Sequence, residues 1–183
     1  MRDHQDRATI SFHCVKSVMA ASARPPPNTV WFYHASEVPF GCFSNFSLHP
    51  VVLGGRTWAT SEHYFQAMKF FPHSPADVDA VANCHHAGEA AKMGRERHRP
   101  LRKDWEAVKD QTMFDVVLAK FSQHPDIGGV LLMTHGDTIV ERTRNDAYWG
   151  DGGDGSGRNM LGITLMRVRD ELRRRLAAAE AAT

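Results

Sequence analysis

Cysteine is scarce in this chain: Cys14, Cys42 and Cys84 are widely spaced and odd in number. That pattern argues against a disulfide framework and favours a reducing, intracellular compartment, cytoplasmic or nuclear. Long apolar runs are missing as well. None reaches the roughly 20 residues of a membrane helix, and no early apolar stretch forms a secretory signal. No membrane partner is expected. An excess of one charge is also lacking, since Lys plus Arg total 22 and Asp plus Glu total 21. A balance this close to zero argues against holding a long duplex by bulk charge, though it permits a local basic patch. Metal-ligand spacings are absent despite 11 histidines. There is no His-Glu-x-x-His, and Cys84-His85-His86 has no second pair to complete a site. No metal and no cofactor is expected. There is no G-x-S-x-G nucleophile elbow and no P-loop.

What is present suits one domain. The 183 residues are 42% apolar and 23% charged, enough to bury a core without staples. Residues 1–29 end in Arg24-Pro25-Pro26-Pro27-Asn28 and read as a flexible extension. Residues 30–183 read as the domain. Val30-Trp31-Phe32-Tyr33 is β-prone, and Gly54-Gly55 between Val51-Val52-Leu53 and Arg56-Thr57-Trp58 predicts a hairpin. A helix capped by Thr60 or Ser61 is expected from about Glu62 to Phe71, ahead of Pro72. Short helices are expected over 77–84, 86–93 and 126–133, and a strand over 138–140. Trp105, Val108, Met113, Val117 and Phe121 make a helical stripe after a cap at Asp104. Asn159 heads a last helix with Leu161, Leu165, Val168, Leu172 and Leu176 on one face. The fold class is α+β, helix-dominated, a single compact domain with a few short strands.

Three constellations bear chemistry. Glu62, Gln66 and Lys69, at i, i+4 and i+7, share a helix face. That face is either a site or a solvated polar surface. Phe43-Ser44-Asn45-Phe46 offers polar groups between aromatics, suited to a planar base or to an Asx-type turn. The stretch from Arg144 to Asn159 contains a Gly- and Asp-rich loop. It is either a phosphate cradle ahead of a helix N-terminus or a mobile connection. Two basic stretches, Arg95 to Lys103 and Arg167 to Arg175, fit solvated faces. The first also suits a phosphate, because Arg forks match its oxygens.

Taken in order, these pieces resemble the NADAR (YbiA-like) N-glycosidase family. The residues that carry the resemblance are Phe43-Ser44-Asn45-Phe46, Ser61 through Lys69, Arg102 with Trp105, and Lys120-Phe121. They continue through Leu131-Leu132, Gly136-Asp137, Glu141, Asp146, Trp149-Gly150, Asp154-Gly155, Gly157, Asn159, Leu161-Gly162, Leu165-Met166 and Arg169. The resemblance covers about residues 30–176 and implies a YbiA-like domain. One departure, the extra residue in Thr134-His135-Gly136, falls in a turn.

The resemblance implies hydrolysis of a ribosyl bond to an exocyclic amine of a guanine-like base. The leading expectation is removal of ADP-ribose from guanine, as base, nucleoside or DNA. The alternative substrates are ribosylamino-pyrimidinone phosphate intermediates of riboflavin biosynthesis. A non-catalytic ADP-ribose or nucleotide reader is an alternative from another class. The expected partner is a small phosphorylated ribosyl compound, ADP-ribose or ribose 5-phosphate linked to a base, with ADP-ribosylated DNA as its larger form. Lys69 would act as a Schiff-base nucleophile, or only stabilise charge beside two carboxylates that flank the bond. Glu62 would shuttle protons, its place in the first helical turn favouring the ionised form. Asp146 would supply the second carboxylate. Phe46, Trp105 and Trp149 would stack on the base or close the pocket, and Ser44 and Asn45 would read its polar edge. Arg95, or the Gly150–Gly157 loop with Arg158 and Asn159, would hold the phosphate.

Overall fold

The structure, a computed structural model, describes residues 25–182. Cys14 and most of the expected extension over 1–29 lie outside the described residues. Strand β1 (Thr29–Phe32) pairs in parallel with β4 (Thr138–Glu141), Thr29 opposite Thr138 and Phe32 opposite Glu141. The sequence suggested both strands but not their pairing, because the two lie at opposite ends of the domain. Val30, Phe32 and Ile139 are buried beneath them. The hairpin forms as expected from β2 (Val51–Leu53) and β3 (Arg56–Trp58). Gly54 and Gly55 turn it at φ of +63° and +77°, the left-handed pair that suits strand twist.

Helix α1 spans Ser61–Ala67, α2 Pro75–Ala82, α3 Ala87–Met93, α4 Trp105–Gln123, α5 Pro125–Met133 and α6 Met160–Ala181. The α4 stripe is buried at Trp105, Met113, Val117 and Phe121, while Val108 is half-buried. On α6, Leu161, Leu165 and Val168 are buried, but Leu176 is exposed beyond the core. Gly162 lets α6 lie against β4, since a Cβ there would sit 2.1 Å from the Ile139 carbonyl oxygen. No described helix is long and apolar enough to cross a membrane.

Helix α1 is shorter than its sequence suggests. It closes at Ala67, and the chain continues in tighter turns, with Lys69 N donating to Gln66 O and Phe70 N to Ala67 O. Phe70 thereby enters a second apolar cluster with Trp58, Val81, Cys84 and Ala90, and Ala67 joins it from α1. The helix is wedged between this cluster and the main core, which holds Phe65. Its polar side chains are therefore not solvated: Glu62, His63 and Gln66 are all buried. His63 is a satisfied core residue, with Nδ1 at 2.8 Å from Thr60 Oγ1 and Nε2 at 3.2 Å from Cys84 O.

Candidate active site

A cavity of about 290 Å³ opens where four segments meet. These are the 43–46 loop, α1 with the turn after it, the end of α3, and the stretch following β4. Ser44, Asn45, Phe46, Glu62, Lys69, Arg95, Asp146 and Trp149 all line it. The expected residues from four distant stretches thus share one pocket.

The 43–46 loop is held by Lys120. Its Nζ, buried on α4, donates to Cys42 O at 2.6 Å, Ser44 O at 2.9 Å and Ser47 Oγ at 2.6 Å. Burial pushes this ammonium down to about 7. Lys120 occupies the same stripe as Met113, Val116 and Val117. A lysine on an apolar face was the available signal that it has interior work. The loop presents Asn45, whose Nδ2 contacts Met113 Sδ at 3.2 Å. The Phe46 ring is on the exposed rim.

On α1, Gln66 Nε2 donates to Glu62 Oε1 at 2.7 Å. Burial raises the Glu62 carboxyl, opposed by that bond and by the charges of Lys69 and Arg95. In a helix of seven residues, desolvation outweighs the helix dipole that would favour the ionised form. Lys69 Nζ donates to Gly94 O at 3.1 Å and lies 5.9 and 5.7 Å from the Phe65 and Trp105 ring centroids. Burial lowers this ammonium, with Glu62 opposing the shift. Gly94 serves twice: its carbonyl holds Lys69, and a Cβ there would lie 1.8 Å from Gln66 Oε1. Two buried oxygens, Asn45 Oδ1 and Gln66 Oε1, have no hydrogen-bond partner. Both residues line the cavity.

The opposite wall comes from the end of β4. Asp146 Oδ1 accepts from the N–H groups of Tyr148 and Trp149, each at 2.8 Å. Glu141, not assigned a role from sequence, also lines the cavity. Burial raises its carboxyl to about 7, reinforced by Asp146, Glu62 and Asp151. Its signal in the sequence was a carboxylate closing an apolar strand. A carboxyl raised from 4.5 in the unfolded chain to about 7 when folded binds its proton more tightly in the native state. Its contribution to stability is full below about pH 4.5 and is lost as pH rises to about 7. Glu141→Gln should abolish that fall, measured by urea unfolding across the window. A fall unchanged in the variant would show that another group causes it.

Four expectations are corrected. Trp105 packs behind the wall rather than against a base: it is buried, with its ring centroid 5.0 Å from that of Phe65. Trp149, edge-on to Phe65 at 5.2 Å, borders the cavity instead. The glycine-rich loop does not offer its amides to a phosphate, because they are used internally. Gly153 N and Thr143 N donate to Asp151 Oδ1, Ser156 N to Asp154 Oδ1, and Gly155 N and Gly157 N to Asp151 O. Arg158 lies over the Tyr148 ring at 4.8 Å. Asn159 neither caps α6 with its side chain nor faces the cavity. At φ +52° it clamps β4, accepting from Glu141 N at 3.0 Å and donating to Ile139 O at 2.8 Å. In the first basic stretch, Arg99 is paired with Asp77 and Glu96, and Arg102 with Asp104. Arg95 faces the cavity without an ion pair to any described residue. Among the described residues, no group of three or more His, Cys, Asp or Glu side chains is arranged to hold a metal ion.

Comparison with known proteins identifies the family. The NADAR domain family matches residues 31–173. The N-glycosidase YbiA of Escherichia coli is 45% identical over 145 residues, 79% of this chain and 89% of that one. An N-glycosidase of Nostoc punctiforme is 45% identical over 152 residues, 81% and 96% of the two chains. A chloroplastic riboflavin biosynthesis protein of Zea mays, PYRR, is 37% identical over 158 residues, 79% of this chain but 25% of that protein. The NMR structure of E. coli YbiA matches with a TM-score of 0.75, covering 81% of this chain and 87% of that one. Fold and relatives together define a hydrolase acting on N-glycosyl bonds. The chain belongs to the NADAR family.

Proposed function

We propose that this N-glycosidase removes ADP-ribose from the exocyclic amine of guanine, as free base, nucleoside or in DNA. The observation that carries the reading is the meeting of Lys69, Glu62 and the ion-pair-free Arg95 in one cavity with the side chains of Asn45 and Gln66. The amides of Asn45 and Gln66 suit the polar edge of guanine, and Arg95 suits the phosphate nearest the ribose.

A ribosyl bond to an exocyclic amine opens at the sugar ring to an imine at C1. Neutral Lys69, its ammonium lowered by burial, attacks C1. Glu62, its carboxyl raised by burial, gives its proton to the departing amine. The guanine leaves, and C1 remains bound to Lys69 as an imine. Water activated by Glu141 or Asp146 adds to C1, Lys69 departs, and the ribose aldehyde closes again. Apart from the water that releases Lys69, protein side chains supply the groups this route needs. A non-catalytic reader would have no need to desolvate a lysine beside Glu62.

A second reading, hydrolysis of a ribosylamino-pyrimidinone phosphate, is favoured by the relatives named for riboflavin biosynthesis in Zea mays and Vibrio vulnificus. The same lysine chemistry would serve it. Incubation with each substrate separately distinguishes the two. Release of guanosine from guanosine bearing ADP-ribose on its amine is the expected result, and borohydride during turnover should trap a ribosyl adduct on Lys69. Release of ribose 5-phosphate alone would favour the second reading. Release of neither product would leave the binding module.

A further inference from the structure

A second cavity, of about 500 Å³, adjoins the first. Tyr33 and Thr143 line both, and Asn145 Nδ2 donates to Tyr33 Oη at 3.2 Å where the two meet. The cavity exists because the parallel register carries the chain beyond β1 alongside the chain beyond β4, with Arg142 N donating to Phe32 O at 2.9 Å. Its walls differ in chemistry from the catalytic pocket. Trp31, Tyr33 and His34 supply rings, and Arg142 and Arg144 supply guanidinium groups. Arg142 lies over the Trp31 ring at 3.9 Å and has only a distant carboxylate, Asp151 Oδ2 at 3.8 Å. Arg144 is exposed and makes no ion pair with any described residue. Its stem packs where a side chain at Gly153 would stand, since a Cβ there would be 2.2 Å from Arg144 Cγ. The loop bearing Tyr33 and His34 is fixed by Glu37, whose carboxylate accepts from both their N–H groups at 3.0 and 3.1 Å.

The catalytic cavity sits at the bottom of the usual range for ligand pockets, roughly 300–1,000 Å³. It has space for a base and its ribose, and the adjoining cavity has space for more. The guanidinium groups of Arg142 and Arg144 match the oxygens of a pyrophosphate, and the half-buried rings of Trp31 and Tyr33 with exposed His34 offer stacking to a second base. We propose that the adjoining cavity is a distal subsite that binds the pyrophosphate and terminal nucleoside of the substrate, while the ribosyl bond to be cleaved lies against Lys69. This rests on the reading given under Proposed function, and it assigns recognition of the ADP arm to Arg142, Arg144 and Trp31.

The test uses the full chain and two substrates: guanosine carrying ADP-ribose on its exocyclic amine, and guanosine carrying ribose 5-phosphate there. Arg144→Glu should raise KM for the ADP-ribosyl substrate by about tenfold or more. Its kcat, and both constants for the short substrate, should be unchanged. Trp31→Leu should show the same split. Equal losses on both substrates, or none on either, would overturn the subsite. Wild-type protein inert toward the ADP-ribosyl substrate would instead defeat the functional reading. Calorimetry with ADP then decides the subsite by itself: binding that Arg144→Glu weakens supports it, and absence of binding overturns it.

Discussion

Glu62→Gln is expected to lower kcat by about 10²- to 10⁴-fold, the range for a positioned proton donor, with little change in thermal stability. Glu62 is buried and has one side-chain partner, the Gln66 amide at 2.7 Å. Gln has the same size and keeps an oxygen for that bond. It also removes a carboxyl that burial makes costly to ionise, so the fold should be as stable as before or more so. What it loses is the proton needed by the departing amine. KM should change little, because the base and phosphate contacts come from other residues. Steady-state kinetics paired with a thermal melt checks this. Turnover within about threefold of wild type would remove Glu62 from the mechanism, and a parallel collapse in stability would mark it as structural.

Lys120→Met should cost about 3 kcal/mol or more in stability, the largest stability effect expected in this molecule. The side chain is 1% exposed and its Nζ serves Cys42 O, Ser44 O and Ser47 Oγ. Met is apolar and fills the space, so packing is largely kept. The acceptors are left dry, each at about 1–3 kcal/mol. A pH signature separates this from a simple packing defect. The Lys120 amine is lowered to about 7 from 10.5 in the unfolded chain. Between those values the unfolded state binds more protons, so this group makes wild-type stability rise with pH. The Met variant should lack that rise. Urea denaturation at about pH 7 and about pH 10 measures both effects. A loss below about 1 kcal/mol would mean that the 42–47 loop is held by other contacts. Activity should fall as well, because Ser44 and Asn45 would lose their anchor.

Much of the site was legible in the chain. Glu62, Gln66 and Lys69 are close in sequence: helical pitch gathers Glu62 and Gln66, and the turn that follows α1 carries Lys69. Asn45 and Trp149 bear the resemblance to the family, and both border the cavity. The glycine-rich loop was misleading because composition does not show where its amides point. Gly152, Gly153 and Gly155 take positive φ, but the loop turns inward onto Asp151 and Asp154. Trp105 was misread for a related reason. An aromatic at the head of an amphipathic helix can face a ligand or the core, and only packing against Phe65 decides.

The sequence by itself determined the helices, the hairpin and the family, because helical periodicity, turn glycines and ordered motifs are local properties of the chain. Tertiary structure alone decided the environments. The parallel pairing of β1 with β4 brings Glu141 and Asp146 against α1 and opens the second cavity beside Tyr33. Burial raises the carboxyls of Glu62 and Glu141 and lowers the amines of Lys69 and Lys120. Desolvation depends on every neighbour that excludes water, and those neighbours come from all along the chain. The near-equality of 22 basic and 21 acidic residues records none of this, because the charges that matter are those the fold takes out of water.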